Sequence, residues 1–138
     1  MGTIRLTLHS ATEGLRFDVL TDSRLESVLD TGKERVAASP VETLLHSLAG
    51  CVAMDVISLL RKKRQPVTAY VVTISGERRT EHPRSFTSID VLHRVTGHAV
   101  SQAAVEDSVR LSVEKYCSVS HSLDPGIKVT HRVEIAED

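Results

Sequence analysis

The sequence has no tryptophan, and only two phenylalanines and two tyrosines among its 138 residues. So few rings leave little from which to build stacking platforms for single-stranded nucleic acid. A surplus of either charge is missing too: 17 Lys and Arg stand against 18 Asp and Glu, a formal net charge of -1. Bulk electrostatics therefore predicts no affinity for nucleic acid or for an anionic membrane. The opening MGTIRLTLHS lacks the charged-then-apolar pattern of a signal peptide, so a cytoplasmic protein is expected. Repeats, low-complexity tracts and linkers are not found, and the length suits a single domain over 1–138.

Cysteine is scarce, with Cys51 and Cys117 the two examples. In a reducing compartment a structural disulfide is disfavoured, so the two are either buried apolar fillers or a redox couple. The seven histidines show no metal-ligand spacing such as CxxC or HxxxH, there is no Gly-rich phosphate loop, and no GxSxG elbow marks a serine nucleophile. No metal and no cofactor are expected.

What the sequence does have is a clear order of elements. Residues 3–9 and 14–20 alternate polar and apolar around the turn-like ATEG, as in a β-hairpin, and 24–30 forms a third strand or extended arm. Ser39, Pro40 and Glu42 make a capping box that opens a helix running to about Arg64. Its apolar residues at 41, 44, 45, 48, 52, 56 and 59 form one face. The opposite face carries Ser47, Gly50, Met54 and Ser58, small or flexible rather than charged. A helix apolar nearly all round has to be wrapped, and a chain this short has little left to wrap it, so a homodimer with this helix at its centre is expected. His46 and Asp55 argue against a membrane span. Residues 66–80 and 84–96 read as long strands joined by a turn at Glu81, His82 and Pro83. A second helix is expected over about 100–117, with Val105, Val109, Val113 and Cys117 at i+4 spacing, then a loop, SVSHSLDPG, and a last strand over 127–135. The order ββ(β)–α–ββ–α–β is that of an α+β domain.

Asp55 follows Cys51 by one helical turn and shares its side of the helix. Burial and a bare carboxylate both disfavour a thiolate, and Cys51 lies too far from the helix start for the dipole to offset them. Cys51 is therefore inert, or a cation bridges it and Asp55. A guanidinium suits that role, with Arg16, Arg35 and Arg84 as donors among which the sequence does not choose. Asp55 can equally be satisfied by an N- or O-donor elsewhere in the core. A Cys117 at a helix C-terminus faces the negative end of the dipole, which leaves Cys51 the better nucleophile and Cys117 the resolving thiol, provided the fold brings them together.

The stretch SPVETLLHSLAGCVAMDVISLLRKK, followed by a hairpin and EKYCSVS, resembles the osmotically inducible protein C and organic hydroperoxide resistance (OsmC/Ohr) family over nearly the whole chain from about residue 36. Within that family it is most similar to the YhfA-like branch, which has the S-P-x-E start and an aspartate one turn after the cysteine. The resemblance implies an OsmC-like fold, with a long central helix and a second helix packed on antiparallel β-sheets, in an intertwined homodimer with active sites at the subunit interface. It implies thiol-dependent reduction of organic hydroperoxides in oxidative stress defence. Cys51 would be peroxidatic and Cys117 resolving, and a dithiol would act as reductant. One departure is clear. Peroxidase members place a glutamate directly after the helix-start proline, where it orients the catalytic arginine, and Val41 stands there instead. Arg16 is the residue taken for that arginine, and Asp55 would replace the glutamate as its anchor. The alternatives are a non-catalytic ligand-binding or redox-sensing dimer of the same fold, and a structural module with inert thiols.

Overall fold

The alternating N-terminal segments pair as their patterns require. In the computed structural model, which describes residues 2–138, β1 (Ile4–Leu8), β2 (Arg16–Thr21) and β3 (Glu26–Asp30) form an antiparallel sheet in that order. Gly14, just before β2, has φ of +72°, a conformation that a Cβ would strain. After β3 the Asp30 carboxylate accepts from the amides of Gly32 (2.8 Å) and Val36 (3.1 Å), which ties down the loop leading to the first helix.

That helix, α1 (Pro40–Lys62), starts as the capping box requires. The Glu42 amide donates to Ser39 Oγ at 3.1 Å, and the Ser39 amide donates back to the Glu42 carboxylate at 3.1 Å. It stops at Lys62, two residues short of the expected end, because Arg64 turns into the left-handed region at φ 55°. There the amide of Gln65 satisfies the Leu60 carbonyl at 3.0 Å. The chain packs as two compact units, one ending at Leu44 and the other Leu45–Asp138, and α1 begins in the first and continues through the second.

Within the second unit Leu48, Val52, Val56 and Leu60 are all but inaccessible. They recur at i+4 and so form one stripe, each worth roughly 1.5–3 kcal/mol on full burial. The buried stripe therefore sits towards the C-terminal side of the expected face: Leu44 is exposed, and Ala49 and Leu60 are buried where the expectation did not include them. α1 is long and apolar enough to cross a membrane, but one stripe of it is covered by protein and Asp55 bonds the Ser112 side chain after α2.

β4 (Val67–Arg78) and β5 (Phe86–Gly97) pair antiparallel, and β6 (Lys128–Glu137) joins β5 in parallel, giving the order β4-β5-β6. The expectation of wholly antiparallel sheets fails at this pair. The helices between β5 and β6 form a crossover that carries the chain back to the end of the sheet where β5 began, so β6 runs parallel to it. β5 is the central strand, and Ile89, Val91, His93 and Val95 alternate into the interior. At its end Gly97 lets Pro66 come close: a Cβ there would lie 2.2 Å from the Pro66 carbonyl oxygen.

The second helix departs from expectation. α2 (Gln102–Leu111) is capped by Ser101, whose Oγ accepts from the Ala104 amide at 3.2 Å, but it does not continue to Cys117. The chain widens into a π-helical turn (Ser112–Tyr116), becomes extended at Cys117, and starts a short helix, α3 (Ser118–Ser122), inside the expected loop. Cys117 is thus both the end of one helical segment and the N-cap of the next.

Candidate active site

Cys51 lies in the longer part of α1, which belongs to the second unit, and it is half-buried. Cys117 is fully buried at the junction between the π turn and α3. The fold brings Cys117 near enough to Cys51 to act on its thiol, and both cysteines are free. The start of α3 supplies backbone donors to both sulfurs. Ser120 N–H donates to Cys117 Sγ at 3.3 Å, and the Val119 amide interacts with the Cys51 sulfur. Cys117 does end a helical segment, as expected, but its sulfur also accepts from an amide of the short helix it opens.

Burial is the first influence on Cys51 and pushes its thiol above the ordinary range. The neighbouring Cys117 and the Asp55 carboxylate push in the same direction, and the Val119 amide opposes them by favouring the thiolate. Without a further cation, Cys51 is a thiol at neutral pH.

Asp55 does not stand bare. Its Oδ2 accepts from Ser112 Oγ at 2.7 Å. This is the core O-donor that the sequence left open as one possibility. Ser112 itself escaped notice, since a serine one turn after Ser108 on an amphipathic helix carries no distinguishing signal. The same Ser112 accepts through its backbone carbonyl from the Cys117 amide at 2.7 Å, the i→i+5 contact that makes the turn a π turn.

Two of the three candidate arginines pair their guanidinium with a carboxylate of their own. Arg16, on β2, donates to Asp18 from Nε (3.1 Å) and Nη2 (3.0 Å). Arg35 is paired with Glu42. Arg84 lies in the β4–β5 turn, where its carbonyl accepts from Arg78 Nε at 2.7 Å. His46 is exposed on α1. His121, close to Cys117 in sequence, bonds through Nε2 to the Val113 carbonyl at 3.0 Å rather than to sulfur.

Comparison with known proteins agrees with this architecture. The family model described as OsmC-like protein matches residues 30–132. Protein YhfA of Escherichia coli strain K12 is 42% identical over 123 residues, 89% of this chain and 92% of its own length. A crystal structure of a hypothetical protein from Aquifex aeolicus VF5 superimposes with a TM-score of 0.86 at 30% identity, covering 100% of this chain and 98% of the other. The OsmC organic hydroperoxide resistance protein of Legionella pneumophila, at 17% identity, shares the fold with a TM-score of 0.68 over 97% of this chain and 96% of its own. The fold is OsmC-like, and since the matched region spans both cysteines and every helix, the chain belongs to the OsmC-like protein family.

Proposed function

We propose that the protein is a thiol-dependent peroxidase that reduces organic hydroperoxides in the cytoplasm as part of oxidative stress defence. The observation that carries this reading is that two cysteines 66 positions apart are brought near each other, with the Ser120 amide donating to Cys117 Sγ and the Val119 amide acting on Cys51. In the first step the Cys51 thiolate attacks the distal oxygen of the hydroperoxide. The O–O bond breaks, an alcohol leaves, and the sulfur becomes a sulfenic acid. Cys117 then attacks that sulfur, water leaves, and a Cys51–Cys117 disulfide forms. A dithiol reductant returns the pair to two thiols and is itself oxidised to a disulfide. The name of the Legionella relative, an organic hydroperoxide resistance protein, supports the choice of substrate class.

The working unit in this reading is an intertwined homodimer. Met54 on α1 is 73% exposed in the single chain, and Gly50 has open space where a Cβ would project. Around Gly50 and Met54, α1 leaves room to receive a second backbone. Arg16 supplies the cation that ionises Cys51, and Asp55 anchors it.

The test is a count of free thiols by mass after one equivalent of cumene hydroperoxide. Loss of two hydrogens per chain, with a Cys51–Cys117 bond, is the expected result. A stable sulfenic acid on Cys51 alone would instead favour a redox sensor, a reading to which the raised Cys51 thiol and the absence of a glutamate at Val41 give some support. No reaction at all would leave a ligand-binding or structural module.

A further inference from the structure

Ser112 occupies an unusual position between the two cysteine-bearing elements. It is completely buried. Its hydroxyl donates to Asp55 Oδ2 at 2.7 Å, one helical turn after Cys51 on α1. Its carbonyl accepts from the Cys117 amide at 2.7 Å. Its own amide is held by the carbonyls of Ser108 and Val109, which root it in α2. One residue therefore links the helix that carries Cys51 to the backbone of Cys117, by a side-chain bond on one side and a main-chain bond on the other.

The two bonds do different work. The main-chain bond closes the wide turn and would survive in any residue. The side-chain bond needs the hydroxyl, because Asp55 is an acceptor when ionised and requires a donor. A donor to a half-buried carboxylate makes a short, charge-assisted bond with a defined direction. It fixes how far α1 can slide or rotate relative to the π turn. Disulfide closure is sensitive to that displacement, since the bond demands a narrow range of Cα separation and torsion. Attack of Cys51 on an external reagent carries no such demand.

We propose that Ser112 is a positioning residue that sets the approach of Cys117 to Cys51, and so governs closure of the disulfide rather than the reactivity of Cys51. The assignment deepens the dithiol reading above, but its test does not depend on a peroxide.

The experiment equilibrates the full-length protein in buffers of oxidised and reduced dithiothreitol and measures the fraction carrying the Cys51–Cys117 disulfide. In that exchange the protein loses two thiol hydrogens and one dithiothreitol disulfide is reduced. Ser112→Ala is expected to lower the equilibrium constant about tenfold, the scale of one lost hydrogen bond to a charged group. Ser112→Thr, which keeps the hydroxyl, is expected to restore most of it. The rate of alkylation of Cys51 by iodoacetamide, read in parallel, should change less than twofold in either variant. Circular dichroism confirms that each variant is folded.

An equilibrium constant unchanged in Ser112→Ala would overturn the assignment. So would an alkylation rate that falls as much as closure does, or a wild-type protein that forms no disulfide in any of the buffers. A wild-type protein that closes the disulfide in dithiothreitol but ignores cumene hydroperoxide would remove the peroxidase reading and leave the role of Ser112 standing.

Discussion

Arg35 grips the Glu42 carboxylate with both terminal nitrogens, while the same carboxylate accepts from the Ser39 amide. The guanidinium is the main reason that Glu42 is held down to about 2, with the Ser39 amide adding to it. A glutamate in the first turn of α1 thus does hold an arginine, one position later than the family pattern places it. This gives the proposed role of Arg16 a competitor that can be tested. If Arg16 activates Cys51, Arg16→Ala should slow oxidation of Cys51 by cumene hydroperoxide by about tenfold or more, a loss of about 1.4 kcal/mol in transition-state stabilisation. Arg35→Ala and Glu42→Gln should then stay within twofold. Stopped-flow measurement of the first step decides the matter, and the reverse pattern moves the role to Arg35.

The direct charge of Asp55 and its proposed role as an anchor would act on Cys51 in opposite ways, and the sign of one variant separates them. As a direct neighbour its charge disfavours the thiolate. As the anchor of a cation it would favour the thiolate through that cation. Asp55→Asn removes the charge and keeps an acceptor for Ser112. A slower reaction of Cys51 with an alkyl hydroperoxide is expected. Unchanged or faster kinetics rule out the anchor.

Removing Cys117 should separate the two chemical steps. Cys117→Ser is expected to react with one equivalent of hydroperoxide and stop at a sulfenic acid on Cys51, trapped as a dimedone adduct by mass spectrometry. In the wild-type protein the adduct should be scarce, because Cys117 already interacts with Cys51. Equal adduct in both proteins would mean that Cys117 does not resolve the intermediate.

Stability should fall on mild acidification for a reason unrelated to the thiols. Tyr70 OH lies 2.6 Å from His93 Nδ1, and His93 Nε2 lies 2.9 Å from His131 Nδ1. Burial, with His131 beside it, pushes His93 down to about 4, and burial also lowers His131. Between about pH 6.5 and pH 4 the unfolded chain therefore binds more protons at His93 than the folded one. The stabilising contribution is complete above about pH 6.5 and is lost progressively as the pH falls towards 4. For His93 it amounts to about 3 kcal/mol at most. Urea midpoints measured from pH 7.5 to 4.5 should decline, and the decline should be smaller in His93→Leu.

The cap of α1 offers a local check. Ser39→Ala removes the side-chain acceptor for the Glu42 amide and should cost about 1 kcal/mol. Ser39→Asn should keep most of it. Thermal melts of the two variants give the comparison.

Much of the fold could be read along the chain, because it rests on contacts close in sequence. The capping box at Ser39 and Glu42, the alternation in β1 and β2, and the i+4 stripe through Leu48, Val52 and Val56 are all short-range patterns. The resemblance of the cysteine-bearing segments to one family was legible for the same reason. Three features were not. The parallel pairing of β6 with β5 depends on where the crossover sets the chain down, which no pattern within β6 reveals. The π turn replaces ordinary helix where the i+4 valine stripe continues through Val113 to Cys117, so periodicity alone predicted unbroken helix. Ser112 is one serine among many until Asp55 is seen opposite it.

Local sequence settled where the first helix begins, which strands alternate, and that a thiol and a carboxylate share one side of α1. Such features depend on backbone geometry over a few residues, and that geometry repeats from protein to protein. Only the tertiary structure decided that Cys117 caps a new helix and meets Cys51, and that a buried serine hydroxyl answers Asp55. Those contacts join residues far apart in the chain, and their distances are set by how whole elements pack.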